Sequence, residues 1–360
     1  ADATRYTDRI EFGPPFGTLG AAGGRWLARP RTERMLAYRH ATLRDDLAAH
    51  ARFRGHPPLR VAVTGASGLL GSALLPFLTT GGHEVTAVSR RRARAGTVHW
   101  DPAVGVIDHA GLEGMDAVVH LAGENVGHHW NQHRKRRIRD SRVEGTMLLA
   151  EALATLKRPP RVLVSASAMG IYGDRGDEVL AEDALPEGPP SDFFVELGRD
   201  WEGATEPARA AGIRVVNLRF GLVLTPAGGA LGRMLPPFLL GVGGPLGSGR
   251  QWVSWLSVDD AVGTVHHALL TEELEGPVNA AAPDPVTSRT FAVTLGRVLR
   301  RPAVLPVPAP ALKLLFGEMA DTALLAGQRL SSARLLGSGY SFRHPTLELA
   351  LRHVLGRGEH

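Results

Sequence analysis

The sequence predicts a doubly wound α/β fold, in which a parallel β-sheet lies between layers of helices. Short apolar, β-branched segments alternate along the chain with longer segments of helical character. A glycine-rich turn, Gly65 to Gly71, joins the first apolar segment to the first helix. At 360 residues and 44% apolar content, the chain can bury a sizeable core. It has room for one large α/β domain with additions, or for two domains.

The predicted elements follow in order along the chain. Strands are expected at 60–64, 84–89, 98–101, 116–123, 161–165 and 213–219, and helices at 69–80, 132–156 and 199–210. Ser257 or Asp259 is expected to cap a helix that runs to Leu270, so we interpret Asp259-Asp260 as capping residues. Residues 304–310 form an extended connector before helices near 311–336.

Three parts are expected in the chain. The nucleotide-binding domain is expected to comprise residues 59–225 and a later segment, 258–282, that returns to it. A smaller α/β substrate domain is expected to comprise residues 226–257 and 283–360. Residues 1–56 form an appendage with a strand at 6–12 and a charged helix at 31–53, too small to bury a core alone. The appendage must pack on the rest of the chain, pair with another chain (a homodimer is one arrangement), or be the tail of a missing domain.

Composition excludes several kinds of site and partner. The chain has no cysteine, which excludes disulfides, thiolate chemistry and cysteine-ligated metals and fits a reducing compartment. We predict a cytoplasmic protein, and no apolar run is long enough to span a membrane. The net charge is +5, and almost all the positive residues are arginine, which indicates a coding bias. We therefore predict no nucleic-acid partner. The basic run at 133–139 is interpreted as a solvated helix face. The pairs His128-His129 and His266-His267 are adjacent, so their rings point apart and we predict no metal site.

The turn at 65–71 predicts a pyrophosphate site. A strand, a glycine turn and a helix N-terminus bring backbone N–H groups and the positive end of the helix dipole to one point. Gly65 permits the turn, Gly68 allows a phosphate to approach, and Gly71 allows helix and strand to pack closely. The spacing is G-x-x-G-x-x-G, and the alternative is a purely structural turn.

The end of the second strand predicts NADP(H). Sites for NAD(H) usually place Asp or Glu about 20 residues after the glycines, where it bonds the ribose 2′-hydroxyl. Here the strand ends in Ser89-Arg90-Arg91-Arg92, without a carboxylate. A hydroxyl and guanidinium groups suit a 2′-phosphate, which an acidic residue would repel. The alternative is a basic loop without a ligand.

Several runs resemble the extended short-chain dehydrogenase/reductases, which have a Rossmann fold. They are the turn 64–71, Leu121-Ala-Gly123, Ser165-Ala-Ser-Ala-Met-Gly-Ile-Tyr-Gly173 and Asn217-Leu-Arg219. Runs such as Leu121-Ala-Gly-Glu-Asn125, Ser141-Arg142 and Arg219-Phe-Gly-Leu-Val-Leu224 are similar to the branch called the NAD-dependent epimerase/dehydratase family, some members of which carry a SulA-like label. The resemblance covers about 60–355 and implies a C-terminal domain of unknown function at about 290–355. Residues 8–47 resemble the last strand and helix of START-like domains.

The resemblance implies the cofactor and its site. The residues that would hold NADP(H) are Gly65, Ser67, Gly68, Leu69 and Leu70 at the pyrophosphate, Ser89, Arg90 and Arg91 at the 2′-phosphate, and Leu121, Ala122, Gly123 and Glu124 along the ribose and nicotinamide, together with Arg142 and Ser165. For Arg142 the alternative is a surface ion pair.

One departure from the resemblance concerns the chemistry. Such enzymes use a Tyr-x-x-x-Lys pair as proton donor and cation. Counting back from Glu202 places Phe194 and Gly198 at these positions, and neither can do this work. We expect Ser167 and Tyr172 to supply the hydrogen bond and the proton. The alternative is that Ser167 satisfies backbone groups and Tyr172 packs beneath the cofactor.

The substrate side is expected after residue 226. Residues 228–249 are rich in glycine and proline with apolar inserts, which suits a cover over a pocket. Gln251 and Trp255 are expected to reach a small-molecule substrate, with a core position as the alternative for Trp255. The sequence thus favours an NADP(H)-dependent oxidoreductase or epimerase-like enzyme, and the alternative is a non-catalytic NADP(H)-binding regulator or scaffold.

Overall fold

The computed structural model describes residues 7, 9, 17–90, 96–127, 129–184 and 192–357. The strands are β1 Arg60–Thr64, β2 Glu84–Ser89, β3 Thr97–Asp101, β4 Val106–Ile107, β5 Ala117–His120, β6 Val162–Ala168, β7 Val179–Leu180, β8 Arg214–Phe220, β9 Leu222–Leu224, β10 Trp252–Val253, β11 Trp255–Ser257, β12 Gly276–Ala280, β13 Val286–Thr287 and β14 Arg329–Leu330. The helices are α1 Gly17–Ala51, α2 Gly71–Thr80, α3 His109–Leu112, α4 Gln132–Ala154, α5 Phe193–Gly203, α6 Glu206–Ala210, α7 Gly229–Leu239, α8 Val258–Leu270, α9 Ser288–Leu299, α10 Ala309–Phe316, α11 Ala333–Gly337 and α12 Leu347–Val354. A 3₁₀ turn spans Met169–Tyr172, and a π-helical segment spans Ala320–Leu325.

The central sheet has the strand order β12-β8-β6-β5-β1-β2-β3-β4. Neighbouring strands are parallel, except for the short antiparallel pair of β3 and β4. From β1 the chain proceeds through β2 and β3 in one direction and then through β5, β6, β8 and β12 in the other. The strand order therefore reverses between β1 and β5, and the crevice at the carboxyl ends of these two strands is where open α/β sheets bind ligands. The predicted doubly wound fold is confirmed.

Strands β1 and β2 have the bounds that the sequence predicts, and other elements differ. The fourth predicted strand ends at His120 and not at 123, because the next two N–H groups, of Leu121 and Ala122, donate to the hydroxyl of Thr64. The single helix expected at 199–210 is wrong, since α5 begins at Phe193 and α6 is separate. Asp192 caps α5, and Pro207 lies in the first turn of α6, where a helix needs no N–H from that residue.

The second half of α1 packs on the sheet domain. Ala49 and Phe53 lie against the main hydrophobic core, and Asp46 accepts a 2.7 Å ion-pair hydrogen bond from Arg343 near the C-terminus. Three arrangements were considered for the appendage. The second half of α1 follows the first of them, because it packs on the rest of the chain. The predicted strand at 6–12 lies outside the described residues. Its resemblance to a START-like tail stays a prediction.

A second hydrophobic core lies beside the first. It collects Leu231 and Phe238 of α7, Trp255 of β11, and residues of α9 and α12 such as Phe291 and Leu351. Both segments predicted for the substrate domain contribute to it, while the exact domain boundaries stay a prediction. Among the helices of the described ranges, none has the length and apolar character needed to cross a bilayer.

Ser257 caps α8, as predicted. Its hydroxyl accepts a 3.0 Å hydrogen bond from the N–H of Asp260 and donates to the Asp260 carboxylate. The same carboxylate accepts the Arg343 N–H at 2.8 Å and the Tyr340 hydroxyl at 3.1 Å. Asp260 therefore supports the cap and also fixes the segment that follows α11.

Candidate functional site

The glycine turn lies at the crevice between β1 and β5. Gly65 has φ of +68°, and a Cβ there would lie 2.7 Å from the carbonyl carbon of Leu121. A Cβ at Gly71 would lie 2.2 Å from the carbonyl oxygen of Gly65. The turn is closed by the N–H of Gly68, which donates to the same oxygen at 2.8 Å. Ser67 and Gly68 are exposed, so the backbone at the start of α2 faces the crevice.

A buried threonine–histidine pair forms the floor of this crevice. Thr64 Oγ1 accepts the N–H groups of Leu121 (3.1 Å) and Ala122 (3.2 Å), so its own proton goes to His120 Nδ1, 2.8 Å away. Burial, with a further contribution from Arg142, lowers the pKa of His120 to about 4, and the imidazole is neutral at pH 7. The pair joins the ends of β1 and β5 without a charge.

The loop after β5 is held by α4. The N–H of Glu124 donates to Ser141 Oγ at 3.0 Å, and Arg142 Nη1 donates to the carbonyl of Glu124 at 2.9 Å. The Glu124 carboxylate forms ion pairs with Arg134 and Arg137, at 3.2 and 3.3 Å. The structure therefore brings Leu121, Ala122, Gly123, Glu124 and Arg142 together beside the glycine turn, and their contact with a cofactor stays a prediction. The surface ion pair considered for Arg142 does not form within the described residues.

Two of the residues predicted for the 2′-phosphate, Ser89 and Arg90, lie at the same sheet edge. Thr64 is level with Val88 in the pairing of β1 with β2, so Ser89 follows beside Gly65. Ser89 is half-buried and Arg90 is exposed. Arg91 lies outside the described residues.

The residues at the end of β6 enter a buried polar network that sequence reasoning missed. Ser165 is fully buried and level with His120. Ser167 Oγ donates to Glu202 Oε1 at 2.6 Å, and Glu202 in turn accepts two 2.8 Å hydrogen bonds from Arg219. Burial alone would lower the pKa of Arg219, but its hydrogen bonds and charge pairing with Glu202 raise it.

Tyr172 belongs to the same network. Its hydroxyl donates to Asn279 Oδ1 and accepts from Arg219 Nη1, both at 2.8 Å, and the side chain is completely buried. Burial also raises the pKa of its phenol. This geometry favours the structural alternative for Tyr172, and the catalytic role of Ser167 stays a prediction. In the sequence, Glu202 serves only to place Phe194 and Gly198, and no short-range pattern indicates that it meets Ser167 and Arg219.

Phe194 and Gly198 lie on the face of α5 that contacts the 3₁₀ turn. A Cβ at Gly198 would lie 2.7 Å from Cβ of Ile171, so the position has no room for a side chain. Phe194 packs against Gly170 and stands edge-on to Trp130, with ring centroids 5.0 Å apart. Both positions are filled by packing contacts.

The prediction that Trp255 contacts substrate is wrong, whereas the substrate contact of Gln251 stays a prediction. Trp255 is fully buried in the second core, and its indole N–H donates to the carbonyl of Asp284, so a substrate cannot reach it. Gln251 uses its side-chain NH₂ to bind the carbonyls of Leu246 and Leu324, at 3.1 and 3.0 Å, and so connects two loops. The sequence does not show these contacts, because side chains alternate between the two faces of a strand and a short strand does not show which face is buried.

The segment predicted as a cover contains α7. Gly228, which precedes the helix, lies against Leu69 of the glycine turn, and Arg233 donates a hydrogen bond to the carbonyl of Gly127 in the loop after β5. The helix thus connects both walls of the crevice. The predicted solvated face at 133–139 forms surface ion pairs, including those of Lys135 with Glu318 and Arg139 with Asp200.

Two protein-family models match this chain. The model of the "NAD dependent epimerase/dehydratase family" matches residues 61–281, and that of a "Domain of unknown function (DUF1731)" matches residues 307–354. The matched ranges agree with the resemblance of 60–355 and with a C-terminal domain of unknown function.

Individual relatives cover most of the chain. An epimerase family protein of Mycobacterium tuberculosis is 42% identical over 299 residues, which are 82% of this chain and 98% of the relative. The crystal structure of human epimerase family protein SDR39U1 (isoform 2) with NADPH is 37% identical, covers 82% of this chain and 99% of that chain, and has a TM-score of 0.75. The nucleoside-diphosphate sugar epimerase from Corynebacterium glutamicum is 37% identical, with a TM-score of 0.74 over 90% of this chain and 64% of that longer one.

Proposed function

Because this chain belongs to the NAD dependent epimerase/dehydratase family, we propose that it is an NADP(H)-dependent oxidoreductase of the extended short-chain dehydrogenase/reductase class that acts on a small molecule. One observation carries the proposal. The glycine turn 65–71 lies at the reversal point of the strand order, packed so closely on Leu121 that only glycine fits at position 65. This is the place and the shape that a dinucleotide pyrophosphate requires.

The residues around the crevice suit the cofactor. The turn offers backbone N–H groups to the pyrophosphate, and residues 121–123 offer an apolar wall that ends in the small residues Ala122 and Gly123 to the ribose and nicotinamide. When bound, the nicotinamide ring supplies a hydride acceptor or donor. The protein binds and orients it, and α7, which touches both crevice walls, keeps water away.

The preference for the 2′-phosphate is supported at the end of β2. Ser89 and Arg90 follow the strand where a carboxylate would select NAD(H), and they lie beside Gly65. The human relative with 37% identity holds NADPH in its crystal structure. Both points favour NADP(H) for this chain.

The reaction does not use the usual tyrosine–lysine pair in this proposal. Gly198 is closed off by Ile171, and Phe194 packs on Trp130. Ser167 is the retained candidate for contacting a substrate hydroxyl at the carboxyl end of β6. Its own proton is donated to Glu202, so its oxygen would accept the hydrogen bond from the substrate. Tyr172 instead holds Arg219 and Asn279 together beneath it.

Cofactor binding is tested with the two dinucleotides. Dissociation constants for NADPH and NADH would be measured by fluorescence titration with the wild-type protein, Arg90→Gln, and the control Arg136→Gln on the exposed face of α4. We expect tighter binding of NADPH by the wild type, and a loss of about 5- to 10-fold for NADPH only in Arg90→Gln, the range of one exposed phosphate contact. Tighter binding of NADH by the wild type would refute the preference.

Turnover separates an enzyme from a regulator. Oxidation of NADPH would be followed by absorbance with a panel of carbonyl compounds. Turnover that is lost in Ser167→Ala supports the proposed reaction. Tight binding of NADPH without turnover of any compound favours the second candidate, a non-catalytic NADP(H)-binding protein, which the closed position at Gly198 also supports.

A further inference from the structure

Large aliphatic side chains are exposed in the C-terminal part of the chain. Among the described residues, most of the exposed large hydrophobic side chains lie within 226–257 and 283–357. Leu240 at the end of α7 is 79% exposed, and Val304 in the connector before α10 is 75% exposed. A single exposed leucine is common on a protein surface, whereas a contiguous group usually marks a surface of contact.

Two neighbouring backbone segments bring these side chains together. The loop that follows α7 runs beside the connector before α10. At one end Arg301 Nε donates to the carbonyl of Leu239 at 3.0 Å, and at the other the N–H of Val307 donates to the carbonyl of Pro245 at 2.9 Å. We term the exposed aliphatic side chains of these two segments the apolar ridge, which consists of Leu239, Leu240, Val242, Val304 and Leu305.

The charges beside the apolar ridge are positive. Segments 226–257 and 285–317 contain arginine or lysine but neither Asp nor Glu. Burial, and then the charges of neighbouring arginines that include Arg300 and Arg301, lower the pKa of Arg357. We term these three residues the arginine group, and no carboxylate of the described ranges pairs with any of them. Such a group of like charges repels itself, and an anionic partner relieves the repulsion.

We propose that the apolar ridge and the arginine group dock this protein on an anionic lipid surface. The aliphatic side chains enter the headgroup layer and the guanidinium groups contact lipid phosphates, a combination that binds a bilayer without spanning it. A second copy of this chain fits less well, because a two-fold interface at the ridge would bring two arginine groups together. A nucleic acid would engage the arginines and leave the ridge in water.

The apolar ridge is separate from the crevice. Helix α7 has 11 residues, so its ridge end lies about 16 Å from the end that contacts the glycine turn. Lipid docking therefore does not rest on the proposed NADP(H) function, and either one can fail without the other.

The test is sedimentation of the full chain with vesicles of phosphatidylcholine, either pure or with about 30% phosphatidylglycerol. We expect binding to the anionic vesicles only, and release by high salt. Val304→Gln should weaken this binding by about 5- to 10-fold, the value of part of a buried aliphatic side chain. The double variant Arg300→Gln/Arg301→Gln should weaken it by about 10- to 30-fold, because each cation near an anionic surface contributes about 5-fold.

Two control variants remove the same groups elsewhere. Val104→Gln removes a valine that is 68% exposed in the turn between β3 and β4, and Arg54→Gln/Arg136→Gln removes two exposed charges. Neither control should change vesicle binding. Absence of binding to the anionic vesicles, or equal losses in the controls, overturns the proposal.

A fluorescent label reports insertion directly. The chain has no cysteine, so Leu240→Cys and Val104→Cys each accept one environment-sensitive dye. The dye at position 240 should shift to the blue on anionic vesicles and the dye at position 104 should not; a shift at neither or at both overturns the proposal. Full vesicle binding by Val304→Gln with a loss only in the arginine variant would assign the arginine group to polyanions such as nucleic acid. A lipid-free dimer that Val304→Gln dissociates would assign the ridge to a second copy, and either result refutes lipid docking.

Discussion

Acid should loosen the contact between α1 and the sheet domain through three histidines, His50, His83 and His266, which we term the histidine seam. His83 Nδ1 accepts the N–H of Leu59 at 3.0 Å, so the proton of its neutral ring lies on Nε2, which is 3.3 Å from His266 Nε2. His50 of α1 lies edge-on to His266, with centroids 4.6 Å apart, and bonds the carbonyl of Phe77 at 3.0 Å. The seam therefore requires neutral rings. The hydrogen bond from Leu59 also leaves His83 poorly suited to bind a metal, although the three rings lie close enough for one.

The size of the effect follows from His266, which is 2% exposed. Burial, and then the neighbouring His50 and His83, lower the pKa of His266 to about 2, against an ordinary value near 6.5 in the unfolded chain. The unfolded state therefore binds the proton first, and stability falls as the pH drops below about 6.5. At pH 5 the loss is about 2 kcal/mol for this residue, since one pKa unit is about 1.4 kcal/mol. His120, with a pKa of about 4, should add a similar loss.

The measurement is urea unfolding at pH 7.5 and pH 5.0 for the wild type, His266→Gln, and His109→Gln as an exposed control. Glutamine keeps an acceptor for His83 but does not titrate. We expect the loss of unfolding free energy between the two pH values to be about 2 kcal/mol smaller in His266→Gln than in the wild type. Burial raises the pKa of Asp46, which acts in the opposite direction, but this group is present in every variant and cancels. Equal losses in wild type and His266→Gln would refute the reasoning.

Two further predictions concern the residues around the 3₁₀ turn. Gly198→Ala should lower the free energy of unfolding by about 1–3 kcal/mol, because the added methyl group meets Ile171 at 2.7 Å. The control Gly203→Ala on the same helix should leave it unchanged, because a Cβ there meets nothing within 4 Å. Equal losses of stability in the two variants would contradict the packing argument. Tyr172→Phe should lower stability by about 1–3 kcal/mol, because Asn279 and Arg219 lose a buried partner. Turnover per folded molecule should be retained, and a selective loss of turnover would restore Tyr172 as the proton donor.

Local signals were sufficient for the nucleotide-binding half of the molecule. The strand at 60–64, the glycine turn and the strand at 84–89 are read from β-branched runs and turn residues a few positions apart, and the structure has them at these bounds. The order of such units along the chain then fixes a parallel sheet and its crevice, because crossover connections leave few topologies. The same rule places the loop after β5 at that sheet edge, while its contact with a cofactor was implied by the family resemblance.

The roles of single polar and aromatic residues were not determined by the sequence. Tyr172 meets Asn279 across 107 positions, and His83 meets His266 across 183. Trp255 becomes core because β11 pairs with β9 and turns the indole inward. Such contacts depend on how helices and strands pack, and no short-range pattern records that packing. The sequence by itself predicted a dinucleotide site at the glycine turn. Only the tertiary structure decided that Tyr172 is enclosed, that Gly198 has no room for a lysine, and that Arg142 bonds the loop after β5.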